Sequence, residues 1–206
     1  LHAGMISASV DSDLLDPDSW TITNFVQLNT EWVPNEKNSA APGWTEGSVV
    51  LGPDGAVYDI IRTAIAPGSG YAAVLKLSED CKTLSFERFI DFEGMSKFAV
   101  RQDEKTGKYY SLVNVVTNPD YPQQRNVLSL AVSDDMYNWE LKETLLYPEW
   151  AEAEEYLILQ TAFQYVDWVF DGDDIICAVR EADMEAVNYH ENNYVTFYRI
   201  KNFRDY

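Results

Sequence analysis

An all-β fold, a β-propeller of four-stranded antiparallel blades, is predicted by three features of the sequence. Short β-rich runs separated by turn residues dominate it. Stretches with helical spacing are nearly absent. A four-strand unit recurs about every fifty residues, which suits a propeller blade better than a sandwich. The 206 residues are 46% hydrophobic, enough for a sizeable core in one domain, and the 13 Tyr, 9 Phe and 6 Trp suit pleated, half-buried strands.

The elements follow in order. Residues 6–26 read as a strand pair lacking a preceding hairpin. Hairpins are expected at 49–62, 97–116 and 165–180, where Asp54-Gly55, Thr106-Gly107 and Asp171-Gly172 supply the positive-φ residues of tight turns. Strand pairs at 72–90, 126–146 and 194–206 follow them, with inner strands expected near 48–52, 97–102 and 164–170. Only residues 148–159, PEWAEAEEYLIL, read as helical. Two whole blades (46–92 and 97–147), the outer half of an earlier one and most of a last one make an incomplete set of about three blades, in a single domain over 1–206. Closure takes roughly four to eight blades, and an open arc leaves strand edges bare. The first half of the parent propeller is therefore expected outside this chain, as its partner. A β-sandwich of the same strands is the structural alternative.

Charge and composition narrow the function. The net charge of -19, with only 15 Lys and Arg spread along the chain, excludes a nucleic-acid surface. It would also repel an anionic ligand at long range, so any anion site must rest on a few local arginines. No apolar run is long enough to span a bilayer and no signal peptide is visible. The chain starts without Met, which reads as a processed or truncated end. Cys81 and Cys177 are 96 residues apart and the only histidines are His2 and His190, so no metal-ligand cluster can be read and no cofactor is expected. Both cysteines read as buried thiols in strands rather than as a disulfide.

Three stretches carry a specific pattern. EGSVVLGPDGAVYDIIR (46–62) runs from a Glu through an apolar strand and an Asp-Gly turn to an Arg. QRNVLSLAVSDDMYNW (124–139) brings a second Arg and then Ser133, Asp135 and Trp139. YVDWVFDGDDI (165–175) begins with Tyr and turns at Asp-Gly. In this order, Glu, Arg, Arg, Tyr, the chain resembles the sialidase (neuraminidase) family, of which it would be the C-terminal half. Ser133, Asp135 and Trp139 resemble a degenerate Asp-box (BNR repeat) with Tyr137 in place of its glycine, and Val166 stands where sialidases usually have a small hydroxyl residue.

The resemblance implies an exo-acting, retaining glycoside hydrolase that removes a terminal sialic acid or related sugar acid from a glycan, in a secreted or periplasmic setting. Tyr165 would be the nucleophile and Glu46 its base. A neutral tyrosine avoids the repulsion that a carboxylate nucleophile would meet at an anomeric carbon bearing a carboxylate. Arg62 and Arg125 would bind the sugar carboxylate, since guanidinium forks match it and keep their charge. Arg180, beside Glu181, is a weaker reserve. Asp167, two residues beyond Tyr165 on one strand, is expected on the same face as a substrate contact or hydrogen-bond acceptor. The acid/base Asp and first triad Arg of the family have no counterpart here. Two other readings share the strands: a propeller glycosidase of another family acting on a neutral sugar, and a non-catalytic carbohydrate-binding propeller.

Overall fold

β-Branched and aromatic runs become strands wherever one face can be buried, and Gly or Asp punctuates them. A computed structural model of the chain describes residues 1–33, 43–64, 70–148, 153–183 and 185–206. Short strands open it: β1 (His2–Ala3) pairs with β4 (Val26–Gln27), and β2 (Ile6–Ala8) with β3 (Trp20–Ile22). Two four-stranded antiparallel sheets follow. The first holds β5 (Trp44–Leu51), β6 (Val57–Thr63), β7 (Tyr71–Leu77) and β8 (Leu84–Asp91). The second holds β9 (Val100–Gln102), β10 (Tyr109–Asn114), β11 (Leu128–Ser133) and β12 (Trp139–Leu146). A short helix, α1 (Glu154–Gln160), leads into a three-stranded sheet of β13 (Ala162–Asp171), β14 (Asp174–Ala182) and β15 (Tyr194–Ile200).

The three expected hairpin turns form where the sequence places them, with Gly55 at φ 78°, Gly107 at φ 74° and Gly172 at φ 66°. The helix occupies part of its expected span, of which residues 149–152 lie outside the described residues. The stretch 194–206 differs from expectation. It forms one strand, and then Phe203–Asp205 turns as a 3₁₀ helix that puts Phe203 into the core. Cys81 also differs: it is half-buried in a turn at φ 58°, not in a strand. Cys177 is a buried strand thiol, pushed up to about 11 by burial, and both thiols are free.

The larger sheets pack in series. Tyr58, Ile60, Val74 and Ile90 of the first sheet meet Val100, Tyr109, Val113 and Ala131 of the second in one core cluster. The opposite face of the second sheet, with Tyr110, Leu112, Leu128 and Leu130, meets Trp168, Ile175, Cys177 and Val179 of the third. A sheet covered on both faces by sequential neighbours is a propeller-like arrangement and not a two-layer sandwich. The first strands of successive sheets also touch. Val100 donates its N–H to Ser48 Oγ at 2.8 Å, and the Trp168 indole donates to the Ala99 carbonyl at 3.0 Å. This alignment brings the leading strands, where the sequence pattern puts its candidate residues, to one side.

Two local devices hold the turns. Asp135 Oδ1 accepts from the N–H groups of Tyr137 and Asn138 at 2.9 and 2.8 Å, and the Trp139 indole donates to the Met136 carbonyl at 2.9 Å. Met136, not Tyr137, takes the left-handed conformation there, at φ 64°. At the C-terminus Arg204 forms a fork on Asp103, with Nη2–Oδ1 at 2.6 Å and Nε–Oδ2 at 2.8 Å, and this holds the Asp103 carboxyl down at about 2. Asp103 is almost wholly buried, so its removal takes away the carboxylate on Arg204 Nε and Nη2 and leaves the guanidinium only Asp173 and the Gly172 carbonyl, both on Nη1. Asp103→Ala is expected to destabilise the protein by about 3 kcal/mol, measured by chemical denaturation.

Candidate functional site

The site begins at the β5–β6 hairpin. A register shift between Trp44 and Gly47 turns Glu46 so that its Oε2 meets Arg62 Nη1 at 3.0 Å. The hairpin is anchored there by the buried Trp44, whose indole donates to the Val26 carbonyl at 2.8 Å, and by the Thr45 hydroxyl on the Arg62 carbonyl at 2.7 Å. Burial pushes the Glu46 carboxyl up, but Arg62 and several hydrogen bonds outweigh it and leave the group below its ordinary value.

Arg125 comes from the chain just ahead of β11. Asn114 Nδ2 donates to the carbonyls of Arg125, Val127 and Phe163, and the Phe163 N–H donates to the Arg125 carbonyl at 2.9 Å. The backbone of Arg125 is thus tied to the start of β13. Its side chain is 7% exposed. Nη1 donates to Gln164 Oε1 at 2.5 Å, Nε is buried without an acceptor, and among the described residues no carboxylate pairs with it. Burial and then the repulsion of nearby Arg62 lower its proton affinity.

Tyr165 lies in a bulge of β13, where the pairing with β14 skips from Gln164 to Asp167, and its φ is +53°. A non-glycine residue in this region is strained, a feature that recurs at functional sites. Its N–H donates to Ser96 Oγ at 3.1 Å, and Ser96 in turn donates to Asn114 Oδ1 at 2.6 Å. The Tyr165 ring stands 5.7 Å from the Arg125 guanidinium and 5.2 Å from that of Arg180.

Two groups of these residues form: Glu46 pairs with Arg62, and the Tyr165 ring lies against Arg125 and Arg180, with Arg62 near enough to Arg125 to repel its charge. Among the described residues no hydrogen bond joins Tyr165 to Glu46, whose partner is Arg62. Asp167 goes elsewhere. It pairs with Arg101 at 2.9 Å and Lys97 at 3.5 Å, because the bulge and the left-handed Tyr165 break the alternation that would have put both residues on one face. Sequence reasoning also missed Gln164, Tyr189 and His190. Tyr189 faces Arg125 at 5.8 Å, and His190 is lowered by burial, then by Arg125 and Arg180. A Gln inside a strand and a loop Tyr-His pair carry no motif that would single them out.

No protein-family model matches the chain, and neither does any curated protein. Similar solved structures include a GH43 β-1,3-galactosidase with galactodeoxynojirimycin (16% identity, TM-score 0.42, 78% of this chain and 42% of that one). A GH43 α-L-arabinofuranosidase from Clostridium thermocellum has 13% identity and TM-score 0.48, over 87% and 60%. An exo-β-1,3-galactanase from the same organism has 13% identity and TM-score 0.45, over 80% and 33%. The chain thus spans less than two thirds of each, and likenesses this remote carry no argument about chemistry. None of the three is a sialidase, so the sialidase resemblance finds no support among them.

Behind Glu46, Asp59 on β6 is 6% exposed with Oδ1 unpartnered, and burial pushes its carboxyl up to about 6. Gly47 makes the space: a Cβ there would overlap the Asp59 carboxylate. A carboxyl whose pKa is raised from 3.8 in the fold favours the folded state at low pH, and this contribution is lost as pH rises through about 6. The shift corresponds to about 3 kcal/mol. Stability followed by urea denaturation is expected to fall between pH 4 and pH 7, and Asp59→Asn to flatten that dependence.

Proposed function

We propose that this chain forms part of a propeller-type glycoside hydrolase whose site recognises a sugar acid. The observation that carries the reading is Arg125, a buried guanidinium without a carboxylate partner among the described residues, set with Arg180 against the ring of the strained Tyr165 and near Arg62. A buried cation without an anion is costly, and a ligand carboxylate would offset the cost while gaining charge-assisted hydrogen bonds. In this reading Tyr165 is the nucleophile. Its oxygen bonds the anomeric carbon as the glycosidic C–O bond breaks; its proton passes to Glu46, freed when substrate binding draws Arg62 toward the ligand, and the departing oxygen takes a proton from water. No metal or cofactor is required.

A second reading, a propeller glycosidase acting on a neutral sugar, is favoured by the Glu46–Arg62 pair. There the one carboxylate in contact already neutralises one guanidinium.

Fluorogenic sialosides and a panel of neutral glycosides separate the two. The expected result is turnover of the sialoside, reduced by at least about a hundredfold in Tyr165→Phe and Glu46→Gln. Arg125→Ala should chiefly raise KM. Turnover of neutral glycosides alone would establish the second reading, and activity on neither would leave a glycan-binding propeller.

A further inference from the structure

Gln164 is fully buried, and its carboxamide is committed in two directions. Oε1 accepts from Arg125 Nη1, while Nε2 donates to the carbonyls of Tyr189 at 2.7 Å and His190 at 3.3 Å. The segment it grips also restrains the other arginine. Arg180 Nη2 donates to the His190 carbonyl at 2.7 Å, and Arg180 Nε donates to Asn192 Oδ1 at 2.6 Å. Two further ties close the strap: the Tyr189 N–H on the Leu159 carbonyl at 2.9 Å, and the Tyr189 hydroxyl on Gln123 Oε1 at 3.1 Å.

We propose that Gln164 is the positioning residue of the arginine site. It holds Arg125 directly and Arg180 through the 189–192 strap, both against the Tyr165 ring, so that their charges are presented to the carboxylate of the ligand. The inference rests on the sugar-acid reading and adds to it how the binding cations are held. The choice of an amide carries the argument. A carboxylate at this position would satisfy Arg125 equally well in geometry but would cancel its charge, whereas an amide oxygen orients one N–H and leaves the positive charge for the ligand. The Tyr165 and Tyr189 rings, 5.7 and 5.8 Å from the guanidinium, favour the cation in the same way, without neutralising it. The bulge is part of the device. It leaves Gln164 opposite Arg180 in the β13–β14 register while the Tyr165 ring lies against both arginines.

The test is discrimination between an acid and its neutral ester, which a merely structural residue would not change. Binding of N-acetylneuraminic acid and of its methyl ester is measured by calorimetry for the protein and for Gln164→Glu, with thermal melting as a check on folding. The expected result is a preference for the acid in the unaltered protein, which Gln164→Glu reduces at least tenfold, with a lower melting temperature because a carboxylate has no N–H for the Tyr189 and His190 carbonyls. If Gln164→Glu keeps the full preference, the positioning role is overturned while the sugar-acid reading stands. If the unaltered protein does not distinguish acid from ester, the sugar-acid reading falls, and this inference falls with it. Should Gln164→Glu fail to fold, Gln164→Met removes all three hydrogen bonds at similar volume. It is expected to weaken acid binding more than ester binding, and equal weakening of the two would overturn the proposal.

Discussion

A guanidinium held out of water with a neutral amide as its side-chain acceptor is the constraint around which the candidate site is arranged. Arg125 sits where the chain ahead of β11 meets the start of β13, and keeping it there requires that both backbones be fixed. Asn114 does this from the end of β10, donating to three carbonyls, and Ser96 extends the network to the Tyr165 N–H. The polar groups that fix Arg125 therefore also fix the bulge that carries Tyr165. A network of this kind is most effective when nearly every member is satisfied, which makes the unpartnered Arg125 Nε stand out.

The sheets serve this end of the molecule. Each of the three larger sheets contributes through its first strand or the chain beside it: Glu46 from β5, Ser96 ahead of β9, Tyr165 from β13. The apolar clusters between sheets lock these strands side by side, so residues more than a hundred positions apart in sequence converge. The C-terminal turn reinforces the arrangement from the far side. Phe203 packs edge-on against Tyr110 at 4.9 Å between ring centroids, while Arg204 clamps the β9–β10 turn through Asp103.

The cluster of arginines stands against the field of the rest of the chain. With 34 acidic residues against 15 basic ones, the surface repels anions at distances where charges act collectively. Screening shortens that reach to roughly 8–10 Å in physiological salt. Within that range the buried Arg125 dominates, because the local dielectric is lower and among the described residues no contact carboxylate cancels its charge. Affinity at such a site comes from contact and not from steering.

Local chemistry alone determined much of this protein. The DG and TG turns required positive φ, the recurrent β-rich runs required antiparallel sheets, and the quoted motifs held the Glu46–Arg62 pair and the Arg125–Tyr165 contact. Period-2 alternation failed at Tyr165, where a bulge skips the pairing from Gln164 to Asp167 and sends Asp167 to Lys97 and Arg101. The tertiary structure also decided that Arg180 lies against Tyr165, that Gln164 bonds Arg125, and that Asp59 is buried behind Gly47 with its Oδ1 lacking a partner among the described residues. The physical reason is the same in each case. Turn conformation and strand patterning depend on neighbours in sequence, whereas a bulge, a buried amide and an unpaired carboxylate are set by what the next sheet places against them.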